Sequence, residues 1–534
     1  MPGYPMTLRP FQWRAERLFG HKELVSADGS GDRHRYRYPA YGDRVRTLAS
    51  ALRAAGVGRG DRVGTLAHNH RRHFETYFAV PNLGAQLHTI NHRLPTKHVE
   101  FIVEDAADRL LFVDPDCCSV LEDCDDGALD SVERFVVFGE SVPDTTLEPV
   151  VAYESFLDGH DPDVAWPDLS GDQPAGLCYT SGTTGRPKGV EYTQRSTWAH
   201  VVVNLTPQGH YVREEDTVLH VVPMAHINGW CLPYEATAAG ASQVFPGPST
   251  DPDHLIDLVE AEGVTFSAGV PAVWLRVLER ARERDADLDS MERLLVGGAP
   301  PPDHMIRGYR EEFDVTVRQA WGMTELGGIG AVSWLTQDVR ERPTAEQERK
   351  QATQGLVVPG LEARVVDDDG AEVPWDGESM GELQVRGPWV TTEYYDRPEA
   401  TAESFDDWGF RTGDVVTIDE DGYMRVTDRT EHLVKSGGEW ISSTAVENAL
   451  MGHDAVVEAA VVGVPDEEWS ERPVAFVVLR GDRSADLDDE LAALVTADHP
   501  RFWVPDEFRV VDELPKTATG KFDKAALRDR YGSG

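Results

Sequence analysis

Between residue 60 and about residue 330 the chain alternates short, apolar, β-branched runs with stretches of helical period. The segments "RVGTLAHN", "RLLFVD", "RFVVFG", "TVLHVVP", "GVTFSAGVP" and "RLLVGGAP" read as strands, several ending in Gly, Pro or polar residues where a helix can begin. In "DPDHLIDLVEAEG" the apolar residues Leu255, Ile256, Leu258 and Val259 mark one face of a helix, and Gly263 marks its stop. This alternation predicts an α/β architecture. Sites in such sheets gather at the carboxyl ends of strands, which is where "GLCYTSGTTGRPKG" and "RQAWGMTE" place their loops.

From 355 to about 427 the period changes to two, in "LEARVVDDDGAEV", "GELQVRGPWV" and "VVTIDEDGYMRVTD". Asp-Gly between alternating runs is a strong hairpin signal, so a small β-barrel-like subdomain is expected here. After Asp428 the pattern returns to mixed α and β for about a hundred residues and closes on the helix-like "FDKAALRDRY". The expected organisation is a large N-terminal α/β domain over 1–427 and a small α+β domain over 428–534. The charged stretch 336–352 reads as an exposed loop or short helix.

Composition narrows the partners. A net charge of -42 repels nucleic acid and anionic membrane surfaces. Eight Lys stand against 43 Arg, and the carboxylates are spread in short clusters such as "DDDG" and "DEDG" rather than massed in one tail. That pattern is a halophile's solvated surface, and it predicts unfolding at low salt through carboxylate repulsion. Five cysteines, Cys117, Cys118, Cys124, Cys178 and Cys231, form no C-x-x-C and no His/Cys spacing suited to zinc, so free thiols in a reducing cytoplasm are expected. No run approaches the ~18 apolar residues of a membrane helix, and the first residues lack a signal peptide's apolar stretch. A soluble cytoplasmic protein that is not integral to a membrane is expected.

The candidate chemistry centres on 180–189, "TSGTTGRPKG". Glycines let a backbone approach an anion, while hydroxyls and a Lys offer donors, so this is the composition of a phosphate cradle. It is not a Walker loop, which would need glycine at 187 and a hydroxyl at 189 where the chain has Pro187 and Gly189, and it contains no G-x-G-x-x-G. Further segments complete a set: "PMAHINGWCLPY" at 223–234, "GGAP" at 297–300, "QAWGMTE" at 319–325, "RTGD" at 411–414, "DRTEHLVKSGGEWIS" at 428–442 and "PKTATGK" at 515–521.

With these seven ordered segments the chain, from about residue 35 to 528, resembles the acyl-adenylate-forming superfamily, specifically the AMP-forming fatty acyl-CoA synthetases for medium- and long-chain acids. The resemblance implies a fatty acid, ATP and CoA as substrates and Mg²⁺ as the metal. It implies phosphate binding by Thr180, Ser181, Gly182, Thr183, Thr184, Gly185 and Lys188. Mg²⁺ would be held by Thr184 and Glu325, with the Thr324 hydroxyl on the α-phosphate. Gln319, Ala320, Trp321 and Gly322 would line one side of the adenine site, Trp321 standing where the family usually has Tyr, and Gly298, Ala299 and Pro300 the other. Asp414 would accept the ribose hydroxyls and Arg429 would donate to the same sugar.

Lys521 would stabilise the charge that develops between carboxylate and α-phosphate. Asp428 would be the hinge about which a mobile C-terminal domain turns, bringing Lys435, Gly437, Gly438, Glu439, Trp440 and Ser442 to CoA. Alone, His226 and Trp230 read as a buried strand-end His and a core Trp. The resemblance makes His226 a lining of the acyl-carboxylate site and Trp230 a gate, with Gly327 and Gly328 leaving volume for an acyl chain or easing a turn. "TEH" at 430–432 replaces a more usual Lys-Asp pair, which removes a cation beside the hinge.

Rival readings are a ligase for a short, branched or sulfur-containing acid, a carrier-protein loading enzyme, a luciferase-like oxidase and a non-catalytic nucleotide-binding regulator. No fused carrier domain is expected, and the presence of Glu325 and Lys521 argues for catalysis. The resemblance also suggests a homodimer with a contact from the N-terminal segment.

Overall fold

The computed structural model describes residues 4–29, 31–125, 127–180, 186–430, 432–436, 439–453, 455–466, 469–481, 483–515 and 522–531. The chain forms two compact units, one built from residues up to 180, 187–362 and 386–405, the other chiefly from 363–385 and from 406 onward. The strands of the first unit are β1 (Glu23–Ala27), β2 (Arg33–Arg37), β3 (Arg62–Leu66), β4 (Gln86–Ile90), β5 (Leu110–Val113), β6 (Arg134–Val137), β7 (Val150–Ala152), β8 (Pro174–Tyr179), β9 (Gly189–Thr193), β10 (Thr217–His220), β11 (Ser242–Phe245), β12 (Phe266–Gly269), β13 (Arg293–Gly297), β14 (Thr316–Met323), β15 (Gly328–Val332) and β16 (Leu356–Val357). Every strand expected from an apolar run is present.

Two sheets result. One has the order β7-β6-β5-β3-β4-β8-β9 and is parallel except for the antiparallel β8/β9 pair. The other has the order β16-β15-β14-β13-β12-β10-β11-β1-β2, parallel from β14 through β1 with antiparallel edges. Their central parallel strands, such as β5 and β13, are buried along their whole length because helices cover both faces of such sheets, while the edge strand β2, Arg33–Arg37, is polar and largely exposed.

The helix Pro252–Glu262 illustrates the local coding. Asp251 accepts from the Asp253 N–H at 3.0 Å, and Gly263 closes the helix in the left-handed region at φ 62°. Leu255, Ile256, Leu258 and Val259 are fully buried, each contributing roughly 1.5–3 kcal/mol by leaving water. The stretch 336–352 forms two short helices, Gln337–Arg340 and Thr344–Gln351, the second with no buried residue.

In the second unit β17 (Glu362–Val366), β18 (Gly381–Arg386), β19 (Phe410–Ile418) and β20 (Met424–Arg429) form one sheet, and β21 (Val434–Ser436), β22 (Glu439–Ile441), β23 (Val456–Asp466), β24 (Ser470–Leu479) and β25 (Glu507–Val510) form another. The Asp421-Gly422 hairpin joins β19 and β20, with Gly422 at φ 86°. The hairpin expected at Asp369-Gly370 turns as its sequence demands, yet its second arm makes only the isolated bridge Val366↔Glu372. Pro374 follows that arm and cannot donate to a ladder. The C-terminal helix is Lys524–Tyr531. Among the described residues no helix is long and apolar enough to cross a membrane.

Candidate active site

In the first unit the site is assembled from the β8/β9 hairpin, the end of β14 and the segment 386–405. The Thr180 N–H donates to the Lys188 carbonyl at 2.9 Å, and the Lys188 N–H donates to Thr180 Oγ1 at 3.2 Å. These bonds tie Thr180 to Lys188 at the end of the antiparallel β8/β9 pair, whereas a Walker or dinucleotide site follows a strand-to-helix turn. Ser181, Gly182, Thr183, Thr184 and Gly185 lie outside the described residues.

"RQAWGM" is not a loop: it is the last part of β14, paired antiparallel with β15. Glu325 follows in a short 3-10 turn, Thr324–Leu326. A β-bulge at Trp321/Gly322 brings the Gly328 carbonyl so close to Gly322 that a Cβ there would collide with it. Only glycine fits. The Trp321 ring is buried against Gly330, and Gln319 and Ala320 are buried with it. Gly298, Ala299 and Pro300 are exposed just beyond the end of β13.

The residue that ties this region together was not singled out in the sequence. Tyr394, 4% exposed, donates its hydroxyl to Glu325 Oε1 at 2.6 Å, and Lys188 Nζ stands 4.3 Å from the centre of the same ring. The Thr391 N–H donates to the Glu325 carbonyl at 2.9 Å, the Tyr395 N–H to the Gly189 carbonyl at 2.8 Å, and the Tyr192 hydroxyl to the Thr324 carbonyl at 2.7 Å. Lys188, Tyr394 and Glu325 thus form one connected group. The second carboxylate oxygen of Glu325 has no hydrogen-bond partner among the described residues, and an oxygen donor of this kind suits a hard cation such as Mg²⁺. The only signal for Tyr394 is two adjacent tyrosines in the otherwise polar "TTEYYDRP".

Beside this group lies a small cavity lined by Tyr192, His200, Asn228, Cys231, Gly327 and Trp389, among others. Its volume is about 10 Å³, room for about one water molecule. Gly327 contributes to its wall. Gly328, at φ 138°, lies where a Cβ would press on the His200 ring at 3.0 Å. Beneath the wall, Glu235 is buried between His210 Nδ1 at 2.7 Å and His200 Nδ1 at 4.0 Å. The shorter approach has the spacing of an ion pair but not the alignment of a hydrogen bond. Burial pushes the Glu235 carboxyl up, opposed by His210, and burial together with His210 pushes His200 down to about 3. Trp230 lies against Gly297 at the end of β13 and lines no part of this cavity. His226 is exposed just before the turn Ile227–Trp230, against the buried position that a strand-end His alone suggests, because β10 ends at His220, six residues earlier.

In the second unit Asp414 is buried and its Oδ1 pairs with Arg429 Nε at 2.6 Å across β19/β20. Lys435 Nζ lies 3.1 Å from both carboxylate oxygens of Asp368 and 5.4 Å from the Trp440 ring centre. Asp428 is buried. Its carboxylate accepts from the Arg429 N–H at 2.7 Å, from Ser443 Oγ at 2.5 Å and from the Thr444 N–H at 3.1 Å, at the start of the helix Ser443–Met451.

Ser443 Oγ in turn accepts from Lys524 Nζ at 2.6 Å, and Lys524 pairs with buried Glu447 at 2.7 Å. Burial raises the Glu447 carboxyl to about 6, against the lowering effect of Lys524. This chain from residue 428 to residue 524 was not legible in the sequence. Gly437, Gly438 and Lys521 lie outside the described residues, as does Glu431, and of Glu439 only its place in β22 is described.

Comparison with known proteins shows the family and the fold. The sequence model of the AMP-binding enzyme family matches residues 11–395, and that of the AMP-binding enzyme C-terminal domain matches 445–521. A long-chain-fatty-acid–CoA ligase of Thermus thermophilus is 43% identical over 529 residues, spanning 98% of this chain and 96% of its own. A 3-methylmercaptopropionyl-CoA ligase of Ruegeria lacuscaerulensis is 37% identical (99% and 97%), and a medium-chain-fatty-acid–CoA ligase of Ectopseudomonas oleovorans is 36% identical (97% and 94%). The crystal structure of an anthranilate CoA ligase in complex with anthranoyl-AMP has the same fold, with a TM-score of 0.83 and 23% identity over 99% of this chain and 98% of that one.

Proposed function

The chain belongs to the AMP-binding enzyme family and is an AMP-forming acid–thiol ligase, and from that premise we propose that its acid is a medium- to long-chain fatty acid. In the first half-reaction a carboxylate oxygen attacks the α-phosphorus of ATP, and the bond to the leaving pyrophosphate breaks. In the second, the CoA sulfur attacks the acyl carbon, the bond to the AMP oxygen breaks, and the thiol proton is released. The adenylating chemistry is supported by the connected group Lys188–Tyr394–Glu325, and the observation that carries the chain length is the 43% identity to a long-chain-fatty-acid–CoA ligase.

Thr180, Lys188 and the loop residues 181–185 would donate to the phosphates, and Tyr394 holds Glu325 in its turn. Glu325 and Thr184 would hold Mg²⁺, which supplies charge neutralisation at the phosphates. Thr324 would serve the α-phosphate, Asp414 and Arg429 the ribose, and Lys521 the charge developing at the reacting oxygen. The C-terminal domain from residue 428 would turn about Asp428, exposing Lys435 through Trp440 to CoA. His226 and Trp230 would border the acyl carboxylate.

A second reading, a short or sulfur-containing acid, draws on the cavity of about 10 Å³, which cannot take an alkyl chain until side chains move. It also draws on the similarity to a 3-methylmercaptopropionyl-CoA ligase. Pyrophosphate release measured across acids from acetate to palmitate separates the two. A maximum at eight carbons or more is expected, and a maximum at four or fewer would replace the fatty acid by the shorter class. Free cysteines support a reducing cytoplasm, the -42 charge supports a salt-rich one, and exposed Tyr4, Met6, Trp13 and Leu18 support self-association through the N-terminal segment.

A further inference from the structure

We propose that the carboxyl edge of the seven-stranded sheet carries a second metal site, for a late first-row divalent cation of the zinc class, formed by His68, Asp116 and Cys117 with His92 beside them. One ligand atom from each of His68, Asp116 and Cys117 lies within 4.8 Å of the other two. A tetrahedral zinc shell places such N, O and S atoms about 3.3–3.6 Å apart, so closure shortens a separation by at most about 1.5 Å. His68 Nε2 and Asp116 Oδ2 are already 2.9 Å apart.

Topology puts these residues together. β3 lies between β4 and β5, so the chain leaves β3 for one neighbour and returns to the other, and the crevice between β3 and β5 is the switch point where such sheets bind ligands. His68 follows β3, Asp116 and Cys117 follow β5, and His92 follows β4. No sequence spacing announces the site, because 48 residues separate His68 from Asp116.

The shell is built around these groups. Buried Asp114 accepts from the His68 N–H at 2.8 Å and pairs with His70 Nε2 at 2.8 Å, tying the loop after β3 to the loop after β5. The His68 carbonyl is held by His73 Nδ1 at 3.0 Å. These bonds fix the His68 backbone and so restrict where its ring can point. The neighbouring thiol of Cys118 is turned to the Asp114 carbonyl, whereas the buried Cys117 thiol has no hydrogen-bond partner among the described residues, its N–H alone donating to the Asp114 carbonyl at 2.9 Å. An independent sign comes from His92. Its ring centre lies 4.3 Å from that of His68, and its Nδ1 is buried with no hydrogen-bond partner among the described residues.

Asp116 is exposed, so a cation reaches the site from solvent. A thiolate, an imidazole and a carboxylate favour zinc, cobalt or nickel, and they disfavour the Mg²⁺ that accompanies ATP.

The test uses the full-length protein, stripped with chelator and titrated with Co²⁺ in molar KCl so that surface carboxylates contribute little. One saturable Co²⁺ per chain is expected, with a near-ultraviolet sulfur-to-cobalt charge-transfer band that Zn²⁺ displaces. Asp116→Asn, at an exposed position, should weaken Co²⁺ at least tenfold, and Cys117→Ser should abolish the band. The site is refuted by binding without a sulfur band, by a band that survives Cys117→Ser, or by an Asp116→Asn variant that binds Co²⁺ as tightly as the parent.

Discussion

Replacing Tyr394 by Phe removes one hydroxyl and leaves the ring. In the structure that hydroxyl is the hydrogen-bond donor to Glu325 Oε1, at 2.6 Å, and the ring is the face beneath Lys188 Nζ at 4.3 Å. A hydrogen bond to a charged group contributes roughly 1.5–3 kcal/mol, and losing it leaves a buried carboxylate oxygen unpaired. If Glu325 must be held in place for adenylation, Tyr394→Phe lowers kcat/KM for acid-dependent ATP–pyrophosphate exchange by about 10- to 150-fold.

Tyr394→Leu also removes the cation–π contact, about 0.5–2 kcal/mol more, so its rate falls further. The readout is isotope exchange between pyrophosphate and ATP, which reports the first half-reaction without CoA. Thioester formation from supplied acyl-adenylate should change much less in both variants. Two results would refute the reasoning: exchange within twofold of the parent for Tyr394→Phe, or a Leu variant as active as the Phe variant.

Three further outcomes are expected. Lys524→Met strands the Glu447 carboxylate, so the second unit should lose about 3–5 kcal/mol of stability by urea denaturation, while Glu447→Met with Lys524→Met recovers most of it; equal losses in both variants would contradict the pairing. Burial holds His220 down at about 4, so the unfolded chain binds the extra proton and stability falls as pH drops below the ordinary His value of about 6.5. His220→Gln should therefore shed about 2 kcal/mol less than the parent between pH of about 7.5 and 5, and parallel curves would show that His220 is not held neutral. With a net charge of -42, raising KCl from about 0.1 M to above 1 M shrinks the screening length from about 10 Å to about 3 Å. Tm should rise by at least about 5 °C over that range, and a flat profile would remove the salt-adapted reading.

What the sequence made legible was local. Gly263 stops its helix because a C-terminal glycine acts within one turn, and Asp421-Gly422 turns its hairpin because two positive-φ-tolerant residues suffice. The parallel strands were readable because burial on both faces leaves them continuously apolar. The proposed phosphate-binding segment 180–189 stood out because its residues are contiguous.

The failures are of reach. Tyr394 meets Glu325 across 69 residues, Lys524 meets Ser443 across 81, and His68 meets Asp116 across 48. Those distances collapse only once strand order is fixed, and periodicity does not encode strand order. A spacing rule for zinc ligands could not announce the proposed His68–Asp116–Cys117 site for the same reason, since it recognises ligands only when they share a turn or a loop. The Asp369-Gly370 arm was over-read because pattern alone gave Pro374 too little weight.

The central claim, that the acid is activated as an acyl-adenylate, is tested most directly by isotope transfer from a fatty acid whose carboxyl oxygens are oxygen-18. One labelled oxygen should appear in the phosphate of AMP for each acyl-CoA formed, because the attacking carboxylate oxygen stays on phosphorus when the thiol displaces AMP. Unlabelled AMP formed in step with acyl-CoA would contradict the account.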